Sequence, residues 1–167
     1  MSTLTMTPYS DRRDLWPRLA RWHHDAWALP GRMPEESEAR FVARVLAPDP
    51  FPMGWIVFHQ GNDAEPIGTV ELKRHEMDEV PEREFWLGEV YVVEAERGKG
   101  IAAQMVRFAI DQARAIGLPE LVLQTARMDG GLYKRLGFEP VRPVWVEAKG
   151  HSMLLMALTL TEDVSNS

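Results

Sequence analysis

Two glycines flank a lysine in the turn Arg97-Gly98-Lys99-Gly100-Ile101-Ala102, which joins a predicted strand to a predicted helix. Glycine allows the backbone to approach a ligand closely and to turn its N–H groups outward. The start of a helix adds unpaired N–H donors and a partial positive charge, both of which favour an anion. Arg97 and Lys99 add formal positive charge beside these donors. The sequence therefore predicts a phosphate- or pyrophosphate-binding turn at residues 97–102.

Two established nucleotide-binding motifs offer other interpretations of this turn. It lacks the G-x-x-x-x-G-K-[ST] pattern, which excludes a P-loop nucleotidase. Gly98, Gly100 and Ala103 do fit the loose G-x-G-x-x-A form of a dinucleotide fingerprint. That fingerprint opens a doubly wound parallel sheet and needs an acidic residue at the end of the second strand. Here the second strand ends in Gln124-Thr125, so a nicotinamide enzyme is a disfavoured alternative.

One carboxylate, Glu89, lies in the otherwise apolar predicted strand 86–93. Desolvation in such a strand raises the pKa of a carboxyl group, which suits a general base. The alternative is a structural carboxylate that pairs with an arginine or caps an irregularity in the sheet. The residues alone leave both interpretations open.

Residues 22–25 (Trp-His-His-Asp) have metal-ligating side chains in a predicted helix. Adjacent helical residues point in different directions and the spacing of an HExxH motif is missing. We therefore predict ordinary helix-surface roles for His23 and His24, and no metal site.

The hydrophobic pattern predicts an α+β (mixed α/β) fold with a parallel strand–helix–strand crossover around the glycine turn. An acidic, proline-containing segment at 76–84 is predicted to be a solvated loop. The predicted strands cover 2–9, 55–58, 67–72, 86–93, 121–125, 141–146 and 152–160, and the predicted helices cover 14–27, 35–46, 100–117 and 130–136.

Length and composition restrict the class of protein. The chain has 167 residues, a hydrophobic fraction of 45% and a charged fraction of 26%, which fits one globular domain at 1–160 with a frayed tail at 161–167. The absence of cysteine excludes disulfide scaffolds and thiolate chemistry. A formal charge of −6 argues against nucleic-acid binding. With no apolar leader or membrane-length segment in the sequence, we expect a cytoplasmic, soluble protein.

The turn and its surroundings resemble the GNAT superfamily of acyl-CoA-dependent N-acetyltransferases. Residues 97–102 match that family's R/Q-x-x-G-x-G/A motif, and the preceding strand ends in Tyr91-Val92, a common form of the family's fourth strand. Residues 131–138 (GLYKRLGF) are similar to another family segment, and the likeness covers Trp55 to Leu160. Within the family the sequence is similar to bacterial members of unassigned substrate. The resemblance implies a central mixed sheet of six to seven strands with about four helices.

The resemblance also implies a reaction, in which a primary amine directly attacks acetyl-CoA in a ternary complex without a metal. Tyr133 would be the general acid, unless it is a packed structural tyrosine, and Glu89 the base. Backbone groups at Val90, Tyr91 and Val92 would bind the acyl end of the cofactor. Trp27 and Gln124 would contact the acceptor. The residues implied to bind the pyrophosphate are Arg97, Gly98, Lys99, Gly100, Ile101 and Ala102.

Two positions depart from the family pattern. Ala126 stands where many relatives have an asparagine that holds the pantetheine arm, and Gln124 stands where many have a glutamate. A catalytically impaired acyl-CoA-binding sensor is therefore the alternative function. The acceptor is a small amine, an antibiotic or a peptide N-terminus, among which the sequence does not choose. No nucleic acid or membrane partner is expected, and a homodimer is possible because dimers are common among relatives.

Overall fold

Seven strands form one mixed β-sheet in the computed structural model, which describes residues 3–161. The strands are β1 (Leu4–Pro8), β2 (Met53–His59), β3 (Gly68–Arg74), β4 (Phe85–Val92), β5 (Glu120–Thr125), β6 (Glu139–Val146) and β7 (His151–Thr159). Their order across the sheet is β1-β2-β3-β4-β5-β7-β6. β1 and β2 are antiparallel, as are β5 with β7 and β6 with β7, whereas β4 and β5 are parallel at Trp86 and Val122. The predicted mixed α+β sheet and its parallel crossover are confirmed, and a doubly wound parallel sheet is ruled out.

Four α-helices accompany the sheet within residues 3–161. They are α1 (Trp16–Trp27), α2 (Pro34–Leu46), α3 (Ile101–Ala115) and α4 (Gly131–Arg135). Pro17 and Pro34 lie in the first turns of their helices, where the missing N–H costs no hydrogen bond. α1 begins two residues later than predicted because residues 13–15 form a 3₁₀ turn. None of the helices in this part of the chain has the length and apolarity needed to cross a membrane.

The chain divides into two compact units. The first consists of Met1–Glu71 and Glu89–Met105, and the second of Leu72–Gly88 and Val106–Ser167. A buried aromatic cluster in the first unit contains Tyr9, Leu15, Trp16, Leu19, Ala20, Phe41, Ile56 and Phe58. A cluster in the second contains Met77, Val80, Trp86, Val122, Val144, Val146, Met153 and Leu155. Each unit therefore buries apolar side chains of its own.

The segment 76–84 is a loop, as predicted, and residues 78, 79, 81 and 82 are exposed, but the loop is not solvated throughout. Met77 and Val80 are buried in the core of the second unit, and His75 N–H donates to Glu84 O at 2.7 Å. The acidic character of this loop therefore did not predict that Met77 and Val80 are buried. The predicted frayed tail at 161–167 lies outside the described residues except for Thr161.

Candidate active site

The glycine turn after β4 forms the predicted strand-to-helix connection in the first unit. Gly98 and Gly100 have φ angles of +78° and +77°, a region that side chains disfavour. A Cβ built at either residue would meet no atom within 4 Å. The glycines are thus required by backbone conformation, and open space lies beside them. A ligand can approach the backbone here, so the turn fits a diphosphate group.

The N–H donors of the turn begin at its second residue. Arg97 N–H already donates to Glu94 O at 3.2 Å, which leaves the amides from Gly98 onward for an anion. α3 begins at Ile101, and the first N–H groups of a helix lack partners within the helix. We therefore expect backbone donors to an anion to come from residues 98–102 rather than from Arg97.

The two basic side chains of the turn are engaged within the protein. Arg97 Nε donates to Val92 O at 2.8 Å, and its guanidinium lies 5.7 Å from the centre of the Tyr91 ring. Lys99 Nζ lies 3.1 Å from a Glu96 carboxylate oxygen. Hydrogen bonds from His59 and Lys99 lower the pKa of Glu96. Arg97 thus ties the end of β4 to the turn, and Lys99 keeps its exposed ammonium near it.

Glu89 interrupts the regular conformation of β4. Its φ angle is +49°. A positive φ is rare for a residue that carries a Cβ, and it costs about 1–2 kcal/mol. The Thr69 hydroxyl on β3 donates to Glu89 O at 2.8 Å and holds the carbonyl in this orientation. The Glu89 side chain is 18% exposed, so its carboxylate is largely desolvated yet reachable. Backbone strain of this kind often accompanies a functional residue.

His23 contacts Glu89, which contradicts the helix-surface role predicted for it. Its side chain is only 10% exposed, with Nδ1 lying 3.5 Å from Glu89 Oε2 and Nε2 lying 2.8 Å from Thr69 Oγ1. The signal was present in the sequence, because His23 follows buried Leu19 by four residues and therefore lies on the same face of α1.

A second carboxylate, Glu71 on β3, is completely buried nearby. It accepts a hydrogen bond from Tyr9 Oη at 2.8 Å and forms a bidentate ion pair with Arg44 of α2. Burial lowers the pKa of Arg44, but the charge and hydrogen bonds of Glu71 outweigh this and raise it. Burial and the Glu71 carboxylate together raise the pKa of Tyr9. The Glu71 carboxylate is therefore fixed in place by Arg44 and Tyr9.

His23, Glu71 and Glu89 offer three ligand atoms that lie within 4.8 Å of one another. Both oxygens of Glu71 also accept hydrogen bonds from Arg44 and Tyr9.

Aromatic side chains of α1 and β4 pack together in the first unit. Trp22 stacks on Tyr91 with 5.2 Å between ring centres, and Trp27 meets Tyr91 edge-on at 6.1 Å. The Trp27 ring also lies 5.5 Å from the His23 ring and is 45% exposed. An exposed tryptophan face suits the binding of a cationic group.

Tyr133 lies in the second unit, in the short helix α4. Its ring meets Phe138 edge-on at 6.1 Å. Burial and the charge of Glu76 raise the pKa of Tyr133 to about 12. The hydroxyl therefore keeps its proton at neutral pH, which a general acid requires.

Gln124 belongs to a chain of polar side chains in the second unit. Its Nε2 donates to Glu76 Oε2 at 3.1 Å, and its Oε1 accepts from Lys149 Nζ at 3.2 Å. Lys73 Nζ in turn donates to Glu76 at 2.9 Å. Both ends of the Gln124 amide are thus occupied within the protein.

Comparison with known families assigns this fold. The model of the acetyltransferase (GNAT) family matches residues 16–138. The chain belongs to the GNAT family. Among solved structures, it is similar to a protein from Bordetella pertussis described as a GNAT-family acetyltransferase, with 22% identity, 94% of this chain and 97% of that chain covered, and a TM-score of 0.73. No protein with a curated description matches the sequence significantly.

Two further similar structures contain acetyl-CoA or coenzyme A. NAA60 from Arabidopsis thaliana in complex with acetyl-CoA is 19% identical, with 96% of this chain and 99% of that chain covered and a TM-score of 0.67. An aminoglycoside 6'-N-acetyltransferase complexed with coenzyme A is 14% identical, with 96% and 98% covered and a TM-score of 0.70. At these identities the likeness shows the fold.

The first unit of this GNAT protein brings several predicted site residues into contact. Tyr91 touches both Trp27 and Arg97, so the end of β4 joins the exposed tryptophan to the glycine turn. Sequence reasoning missed His23 and Glu71 as neighbours of Glu89. Tyr133 and Gln124 belong to the second unit. There Glu76 raises the pKa of Tyr133 and accepts a hydrogen bond from Gln124.

Proposed function

We propose that this GNAT protein transfers an acetyl group from acetyl-CoA to a primary amine by direct attack of the amine in a ternary complex. The observation that carries this proposal is the glycine turn, whose backbone faces open space at the start of α3. Such a turn suits the diphosphate of coenzyme A. The acetyl-CoA and coenzyme A complexes of two similar structures support the same donor.

The backbone of the first unit would bind and polarise the donor. Amides of Gly98, Lys99, Gly100, Ile101 and Ala102 would hold the diphosphate, and Arg97 would support the turn through Val92 O. Backbone groups of Val90, Tyr91 and Val92 would face the acyl end. A fixed N–H donor aimed at the thioester oxygen stabilises the negative charge that develops there.

Glu89 is proposed as the general base. An acceptor amine is an ammonium ion at neutral pH and must lose a proton before it can attack. The Glu89 carboxylate is reachable, largely desolvated and held by the strained backbone of β4. Trp27, which is exposed and whose ring lies 5.5 Å from that of His23, is proposed to contact the acceptor.

Tyr133 is proposed as the general acid that protonates the departing thiolate. The proposal rests on its place in the segment GLYKRLGF and on a pKa of about 12, which keeps the hydroxyl protonated. Gln124 would help to hold the acceptor or cofactor through the polar chain that includes Glu76 and Lys149. The reaction balances without a metal ion. We further propose a single functional domain that acts in the cytoplasm, alone or as a homodimer.

The direct experiment measures thiol release from acetyl-CoA with spermidine, kanamycin, free amino acids and short peptides as acceptors. We expect release with at least one of these amines, and about a 100-fold loss of kcat in Glu89→Gln. Glu65→Gln, an exposed carboxylate paired with Arg18, is the matched control and should keep full activity. Tight acetyl-CoA binding without release for any amine would support the sensor alternative. Failure to bind acetyl-CoA would refute the proposal as a whole.

A further inference from the structure

We propose that His23 and Glu89 work as one acid–base pair, in which Glu89 takes a proton from the acceptor ammonium and His23 Nδ1 holds it. This inference rests on the proposed function for its role in the reaction, but the pairing itself is a property of the free protein. His23 is a positioning and proton-holding residue in this account, because it acts through Glu89.

The hydrogen bonds of Thr69 determine which nitrogen of His23 carries a proton. A carbonyl oxygen can only accept, so the Thr69 hydroxyl must donate its single proton to Glu89 O. The same hydroxyl oxygen lies 2.8 Å from His23 Nε2 and must therefore accept there. Nε2 consequently carries a hydrogen, and neutral His23 has its lone pair on Nδ1.

That lone pair belongs to the nitrogen closest to Glu89. Nδ1 lies 3.5 Å from Glu89 Oε2, within ion-pair range. Two acceptors facing each other repel, whereas a proton on either one converts the repulsion into attraction. The geometry thus favours uptake of one proton by the pair as a unit, and titration of either group depends on the other.

Other charged groups near the pair cancel one another. Glu71 on β3 faces the pair, and its charge is matched by Arg44 from α2, to which it is ion-paired. Tyr9, which precedes α1, donates its hydroxyl proton to Glu71 and stays neutral because its pKa is raised. The rings of Trp27 and Phe41 flank His23 at 5.5 and 5.9 Å and carry no charge.

The pair accounts for the protons of the proposed transfer. The acceptor nitrogen begins with three hydrogens and ends, in the amide, with one. The first proton passes to Glu89 and on to His23 Nδ1, and is later released to solvent. The second passes from the nitrogen to solvent as the C–N bond forms and the C–S bond breaks, while Tyr133 gives its proton to the thiolate and regains one from solvent, so that one proton is released in all. The ordinary pKa of a glutamate side chain is about 4.3 and that of imidazole is about 6.5. Glu89 therefore acts as a stronger base when it can pass its proton to His23.

The pairing is tested in the free protein by NMR of ¹⁵N-labelled histidine rings. We expect neutral His23 to carry its hydrogen on Nε2 and to gain a proton on Nδ1 as the pH falls. Glu89→Gln should lower the titration midpoint of His23 by about one pH unit or more, because it removes a charge at ion-pair distance. His24, which contacts Ser37 Oγ at 2.7 Å, serves as the internal control and should not move. A hydrogen on Nδ1 in neutral His23, or an unchanged midpoint in Glu89→Gln, would overturn the pair.

The role in the reaction is tested by the pH dependence of kcat/KM with spermidine or kanamycin, whichever releases CoA. His23→Gln keeps a side-chain N–H for Thr69 but removes the titrating nitrogen. We expect the acid limb to move to lower pH and kcat/KM at neutral pH to fall about 10- to 100-fold. His24→Gln is the matched variant and should behave as the wild type. An acid limb that stays in place in His23→Gln would refute the relay. If no amine releases CoA, the proposed function fails, while the NMR result still decides whether the pair exists.

Discussion

Replacement of Gly100 by alanine separates the two roles of the glycine turn. The φ angle of Gly100 is +77°, and a Cβ there meets no atom within 4 Å. The substitution therefore introduces backbone strain without a steric clash in the free protein. Gly61 is the matched control, since its φ is +83° and its surroundings are equally open.

The two substitutions should cost the same free energy of unfolding. A left-handed conformation costs a non-glycine residue about 1–2 kcal/mol, and the reduced entropy of the unfolded chain returns about 0.4–1 kcal/mol. The net loss is about 0–1.6 kcal/mol, which corresponds to a fall in Tm of at most about 6 °C for a chain of this size. Only Gly100→Ala should also weaken acetyl-CoA binding, because its Cβ would stand in the open space through which the diphosphate approaches the backbone. If this costs one N–H bond to a charged phosphate, the loss is about 1.5–3 kcal/mol, which is about 10- to 150-fold in Kd.

Thermal unfolding and isothermal calorimetry with acetyl-CoA measure both effects on the same protein samples. We expect equal shifts in Tm for Gly100→Ala and Gly61→Ala, and a raised Kd for Gly100→Ala alone. Equal stability losses with wild-type affinity in both variants would show that the turn does not hold the cofactor.

Three other predictions concern Tyr133, Glu89 and Arg44. Tyr133→Phe should lower kcat about 100-fold and leave the Kd of acetyl-CoA within about two-fold. Because the pKa of Tyr133 is about 12, ionisation of this residue should cause no loss of wild-type activity up to about pH 10. An equal loss of both constants would make Tyr133 structural. Glu89→Gly should unfold at a higher temperature than Glu89→Ala by about 2–5 °C, since only glycine relieves a φ of +49°; the reverse order in calorimetry would remove the strain argument. Arg44→Met strands a buried carboxylate and should cost about 3–5 kcal/mol in denaturant titrations, whereas Arg18→Met breaks an exposed pair and should change little.

The sequence was informative where one pattern dominated. Periodicity located α3 and β4, and the two glycines between them marked the turn that the structure shows. The predicted helix 100–117 is slightly too long, since α3 ends at Ala115 and Ile116 is 47% exposed.

The contacts of Glu89 could not be predicted from the sequence in the same way. Its partner His23 lies on α1, and the tautomer of that ring depends on Thr69 from another strand. The positive φ of Glu89 has no local signal, because glutamate is not a residue that favours it. Long-range pairing and backbone strain arise from tertiary packing, which neither spacing nor composition specifies.

The most direct test of the account is titration of the ¹⁵N-labelled protein with coenzyme A, followed through its backbone amide resonances. The account predicts that the amides of Gly98, Lys99, Gly100, Ile101 and Ala102 undergo the largest and earliest shifts, because they bind the diphosphate. Saturable binding that leaves these five resonances in place, with the largest shifts in another part of the chain, would contradict it.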